Sequence, residues 1–190
     1  HECLEHLYKS VKDGRIPPEE EIVAGFGALW RERCDGNVRI VRKGMKPDDY
    51  RRKGETFLTR YYRENHPFDR DETLGTEVKV ETDLGPEGGY PFVGFIDRLA
   101  RASDGAIEIH DYKTSATLPS EQKLRSDRQL RLYSLAIRAS WPASVPIRLV
   151  WNYLAHGKRI PMASVPEENE RVRRDALRLI DEIRAARDFP

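Results

Sequence analysis

Apolar residues recur at helical intervals at the start of the chain, where Leu4, Leu7, Tyr8 and Val11 share one side. This predicts a helix over residues 1–12, ended by Gly14, Pro17 and Pro18. A second helix is predicted over residues 19–33, opened by proline and acidic side chains that suit a helix N-terminus. Residues 38–45 read as a short strand or a loop. Pro47-Asp48-Asp49 starts a third helix reaching about Glu64, with Tyr50, Phe57, Leu58 and Tyr61 facing the core. The period then changes. Glu77-Val78-Lys79-Val80-Glu81 alternates as a half-buried strand does. The turn cluster Gly85-Pro86-Glu87-Gly88-Gly89 leads to a second strand over residues 92–98. Ser103-Asp104-Gly105 is a hairpin signal, and residues 107–113 form the third strand. One long helix is predicted over residues 120–140, with Leu130, Leu132, Leu135, Ala136 and Ile137 on or near its buried side. A fourth strand over residues 147–154 holds Leu149, Val150 and Trp151. A short strand ending by Val165 follows the turn at His156-Gly157-Lys158, and Pro166 opens a last helix to about Arg187. The mixed order, helices then β-β-β-α-β then a helix, argues for an α/β sheet flanked by helices.

At 190 residues the chain suits one domain. It divides into a helical part over 1–70, a sheet-and-helix part over 71–165 and a closing helix over 166–190. The longest apolar runs are far short of the ~20 residues of a membrane span, which argues against an integral membrane protein. The first residue is His1 and no secretory leader is visible, which reads as a processed or excised piece. Lys plus Arg is 33 and Asp plus Glu is 32, so bulk charge alone drives no binding, although a local basic groove remains open. The basic residues are 24 Arg and 9 Lys, and arginine forks suit phosphate; a GC-rich genome explains the same bias. Two cysteines, Cys3 and Cys34, cannot build a disulfide framework or a four-cysteine metal site, and a reducing, intracellular setting is the default.

Charge stands in strand context at two places. Asp97 ends the apolar run Phe92-Val93-Gly94-Phe95-Ile96, and Asp111 and Lys113 end the third strand on one face of the sheet. If the strands pair, Asp97 lies beside Asp111. Two carboxylates in a partly dry site repel each other. A divalent cation relieves the repulsion, and hard oxygen ligands select Mg²⁺ or Mn²⁺. With Lys113 to hold a phosphate oxygen or orient water, these are the parts for metal-assisted phosphodiester hydrolysis. The competing reading is a strand-end salt-bridge network among Asp97, Arg98, Asp111 and Lys113. Gln129 and Tyr133 share one helix face.

The strings Gly94-Phe95-Ile96-Asp97-Arg98, Asp111-Tyr112-Lys113-Thr114 and Gln129-Leu130-Arg131-Leu132-Tyr133, in this order, resemble the PD-(D/E)xK nuclease superfamily. They are most similar to its RecB-like exonuclease branch, which includes the nuclease domains of RecBCD- and AddAB-type helicase–nucleases and the CRISPR-associated RecB-like exonucleases. His1-Glu2-Cys3-Leu4-Glu5 fits the early H-x-x-L-E pattern of that branch. The resemblance implies a restriction-endonuclease-like αβββαβ core with a mixed central sheet. It implies a metal-dependent DNA nuclease, and more closely an exonuclease, serving repair, recombination or defence. His1, Asp97, Asp111 and the Tyr112 carbonyl would bind Mg²⁺ or Mn²⁺, Lys113 would position water or phosphate, and Gln129 and Tyr133 would complete the site. Glu77 matches a glutamate often seen on the first strand. The implied partners are DNA, as a single strand or duplex end, and a helicase subunit or fused helicase domain, in a prokaryotic cytoplasm near the nucleoid. A catalytically inactive nuclease fold that binds DNA or serves as a scaffold is the alternative.

Many relatives hold an iron–sulfur cluster with one cysteine before the early histidine and three after the last helix. The cysteines of this chain do not support one. His110 alternates away from Asp111, His66 and His156 read as loop residues, and Trp30, Trp141 and Trp151 read as core, with stacking of an unpaired base as the alternative. The arginines from Arg171 to Arg187 read as a solvated helix face, with a DNA-tracking role as the alternative.

Overall fold

Three helices open the chain in a computed structural model that describes residues 1–34, 38–41 and 43–186. They are α1 (Glu2–Lys12), α2 (Glu19–Arg33) and α3 (Pro47–Asn65). Prolines at the starts of α2 and α3 and acidic first turns suit the unsatisfied amides there. The next elements are β1 (Asp71–Asp83), β2 (Pro91–Ala102) and β3 (Ile107–Lys113). They are followed by α4 (Glu121–Arg125), α5 (Arg128–Arg138), β4 (Ile147–Tyr153), β5 (Lys158–Ala163) and α6 (Pro166–Ala185). Of the predicted segment 38–45, residue 42 lies outside the described residues, as does Arg187 at the end of the last helix. Residues 38–41 are in neither helix nor strand.

The strands form one sheet in the order β1-β2-β3-β4-β5. Neighbours are antiparallel except β3 and β4, which run parallel from Ile107↔Ile147 to Lys113↔Tyr153. The chain therefore crosses over between them, through α4 and α5, as a parallel pair requires. Every residue of β3 but Lys113 is buried, because helices cover both faces of the sheet. One core includes Ile96, Ile107, Ile109, Leu130, Leu149 and Trp151 on the α5 side; another joins Leu4, Leu7, Leu58, Tyr61 and Tyr112 on the side of α1 and α3. The last helix closes a smaller cluster through Val172 and Ala176. This is the α/β sheet flanked by helices expected from the order of elements, and the restriction-endonuclease-like architecture that the resemblance implies.

The single helix expected over residues 120–140 is two helices. Asp127 breaks it and caps the second, its carboxylate accepting from the Leu130 amide at 3.1 Å and from the Trp151 indole at 3.3 Å. An aspartate gains more as a cap than inside a helix, where it competes with the backbone. The new start aims α5 across the sheet, with Gln129 and Tyr133 in its first turns. β1 and β2 are longer than their alternating segments, since Asp71 pairs with Ala102 beyond the periodic stretch. Strand β4 stops at Tyr153 rather than Leu154, which begins a 3-10 turn closed by Gly157 at φ 57°. Trp151 is fully buried, whereas Trp30 and Trp141 are only half-buried.

Candidate active site

The strand alternation of β2 breaks where the site begins. Ile96 and Leu99, three residues apart, both enter the core under α5. Between them, Arg98 turns to the opposite face and lies over the Tyr8 ring. Across from Asp97, Glu77 adopts a left-handed φ of 48°, and neither joins the ladder between Thr76↔Arg98 and Val78↔Ile96. Such a conformation costs a non-glycine residue about 1–3 kcal/mol and is found where surrounding structure over-determines it. Its effect is that of a bulge, re-aiming side chains and ending a pairing. Beyond Arg98 toward its start, β2 no longer pairs with β3, and the Asp97 carboxylate fills the fork, accepting from the Tyr112 amide at 2.8 Å.

Five elements converge there, α1, β1, β2, β3 and α5. From the start of α1, His1 donates through Nε2 to the Tyr112 carbonyl at 3.0 Å, and its Nδ1 lies 3.5 Å from Asp97. His1, Glu77 and Asp97 each offer a ligand atom, all within 4.8 Å of one another. On β3, Asp111 pairs with Lys113 at 2.8 Å. The lysine also donates to Gln129 Oε1 at 3.1 Å, and Gln129 donates to the Tyr133 hydroxyl at 3.2 Å. All eight residues singled out in the sequence thus lie in one connected neighbourhood.

The electrostatics are those of a site short of positive charge. Burial holds the Asp111 carboxyl up at about 6, against the pull of Lys113 and with a push from Asp97. Burial also raises Asp97, and burial together with Asp97 raises Glu77. Asp111 Oδ2 is buried with no hydrogen-bond partner, a costly state for a carboxylate oxygen. Asp97 and Glu77, both held above their ordinary range beside the His1 imidazole, fit a divalent cation, while Asp111 with its orphaned oxygen is not part of that close-set group.

A second group, Asp71, Glu108 and His110, is equally close-set but is already neutralised. Arg98 donates to Asp71 at 2.5 Å and to His110, while Arg148 and Arg159 reach Glu108 at 2.9 and 2.6 Å. Burial, helped by Arg98, lowers His110 to about 4, so it is neutral, donating to Glu108 and accepting from Arg98. Three guanidiniums leave no electrostatic reason for a cation. This cluster corrects the alternative network drawn from the sequence: Arg98 takes no part in a bridge with Asp97, Asp111 and Lys113. It supports the site from behind instead. Tyr8 and Tyr61 hydroxyls bond at 2.7 Å, and Tyr61 reaches Tyr112 at 3.5 Å, so the residue whose backbone faces His1 and Asp97 is held by its ring. In the sequence Glu108 and His110 share one face of β3, but beside Asp111 and Lys113 nothing marks them as buried.

Gly94 supplies the last constraint. A Cβ there would lie 2.3 Å from the Tyr133 ring, so the glycine is needed for space. Gly94→Ala is expected to destabilise the fold by about 1–3 kcal/mol through overpacking and to slow turnover by displacing Tyr133 and Gln129. Chemical denaturation beside a cleavage assay checks both, and an unchanged rate would separate Tyr133 from the site.

The mixed sheet with acids and a lysine at the fork of two strands defines a metal-dependent hydrolytic α/β domain. The family profile of the PD-(D/E)XK nuclease superfamily matches residues 1–190, and the chain belongs to that superfamily, whose members are divalent-metal-dependent nucleases. Among solved structures, SSO0001 is similar with a TM-score of 0.41 and 14% identity, over 84% of this chain and 85% of that one; a likeness that loose adds nothing to the assignment. No curated protein matches.

Proposed function

We propose that this chain is a RecB-like DNA nuclease, an exonuclease acting on strand ends beside a helicase subunit or fused helicase domain in a prokaryotic cytoplasm. The observation that carries the reading is Asp111, buried, partly unsatisfied and held between Lys113 and Asp97. His1, Asp97, Asp111 and the Tyr112 carbonyl would hold Mg²⁺ or Mn²⁺, with Glu77 able to contribute an oxygen. When bound, the ion supplies charge neutralisation at the phosphate and a more acidic water. Lys113, a third exposed, is free to exchange its bond with Asp111 for a phosphate oxygen or the attacking water. Gln129 restrains that ammonium on its other side, and Tyr133 fixes Gln129. Phosphate contacts from arginine would make binding weaken with salt.

The test is cleavage of single- and double-stranded DNA labelled at either end, in Mg²⁺ or Mn²⁺, beside Lys113→Ala and a metal-free control. Stepwise products that require the metal and Lys113 are expected, and their ladder gives the polarity. Metal binding without cleavage by the wild-type chain would favour a non-catalytic DNA-binding module.

A further inference from the structure

Next to the proposed metal ligands lies a cavity that the chemistry at the fork does not use. It opens between α1 and α2, has a volume of about 400 Å³, and is walled by His1, Phe26, Leu29, Trp30, Arg33 and Val38. Phe26 and Trp30 stand one turn apart on α2 with ring centroids 5.9 Å apart. Phe26 is seated against Gly54 of α3, where a Cβ would meet its ring at 2.2 Å, so one aromatic wall is fixed. Arg33 at the rim pairs only with exposed Glu2, at 2.6 Å among the described residues, and such a surface pair is weak enough to exchange for phosphate.

We propose that this cavity receives an unpaired base of the bound DNA strand, next to the phosphate held at the fork. The inference rests on the nuclease reading for its substrate. Its own support is continuity: His1 is a wall of the cavity and also bonds the Tyr112 carbonyl beside Asp97. A strand threaded past Asp97 and Asp111 therefore passes the cavity mouth. Aromatic faces with an adjacent guanidinium are the usual means of holding single strands, because every base has a π-face and every nucleotide a phosphate. A cavity of about 400 Å³ has room for a base, and only a base that has left its stack and its partner can enter it. A duplex would have to unstack that nucleotide, whereas a single strand or frayed end would not. The cavity thus assigns the substrate class as unpaired DNA. Its rivals are the chain's own exposed Val41 or an apolar partner.

The experiment is equilibrium binding of a fluorescent single-stranded oligothymidylate to the full chain in Mn²⁺, with one abasic site moved along the strand. Base–aromatic stacking predicts that Kd rises about tenfold when the abasic site meets the cavity, and not at most other registers. Trp30→Ala should weaken binding of the intact strand by a similar factor and abolish the effect of the abasic site, while Trp30→Phe retains most of it. A flat scan with the wild-type chain overturns the proposal without needing any variant to fold. So does an abasic penalty that persists in a folded Trp30→Ala protein. A register-specific penalty in a chain that cuts no DNA would uphold the base site and overturn the cleavage reading, so the two fail separately.

Discussion

Asp111→Asn is expected to lower strand cleavage at least about a thousandfold, ~4 kcal/mol in the barrier, while making the metal-free protein more stable. The second effect follows from the proton. Asp111 keeps its proton to about 6 in the fold, against 3.8 for an ordinary aspartate. The folded state binds a proton between those values that the unfolded chain has released. Stability is therefore fully present below pH 3.8 and is lost as pH rises through 6, by about 2–3 kcal/mol. Asparagine cannot ionise and escapes that loss, and Lys113 can turn to water. Thermal melts in chelator should show the variant several degrees above the wild type at pH 8, with the gap closing toward pH 4. Mn²⁺ should raise the wild-type melting temperature and leave the variant nearly unmoved. A variant that still cuts, or that melts below the wild type at pH 8, would remove Asp111 from the role assigned to it.

The largest stability effect is expected at Arg98. Its guanidinium is buried against Asp71, His110 and the Tyr8 ring. Arg98→Met keeps much of the volume but leaves Asp71 buried without its charge partner, a loss of about 3–5 kcal/mol, or roughly 10 °C for a chain of this size. The substitution should also let His110 titrate higher than about 4, because a repelling charge has gone. Chemical denaturation reads the first effect and NMR titration of His110 the second. Loss of stability with an unmoved histidine would mean that packing alone, not charge, makes Arg98 matter.

Much of this was legible in the chain. β3 could be read to the residue because Ile107, Ile109 and Asp111 alternate with their neighbours and the Asp104-Gly105 turn marks the start. The places of Asp97, Asp111 and Lys113 at strand ends and of Gln129 and Tyr133 on one helix face were legible as local patterns, while the roles proposed for them came from the family resemblance. The break before α5 was not, since Ser126-Asp127 has neither glycine nor proline, and the capping bonds of Asp127 go to Leu130 and to distant Trp151. The left-handed Glu77 was equally hidden, because that conformation is imposed by the neighbouring strand. The Arg98 network was missed for another reason. Each of its members looks solvated in a hydropathy pattern, and only the fold places Asp71, Glu108, Arg148 and Arg159 around one buried histidine.

His1 rides at the head of α1, while Glu77 and Asp97 stand on adjacent strands of the sheet. Leu4 and Leu7, one and two turns behind His1, anchor the same helix in the core. Whatever occupies the space among those three side chains fastens the helical layer to the sheet, as a rivet joins two plates. The binding energy of that occupant is then also docking energy for α1. On the proposed reading, the ability to cut and the seating of the first helix would rise and fall together, the ligand set for the metal serving also as the clasp of the domain.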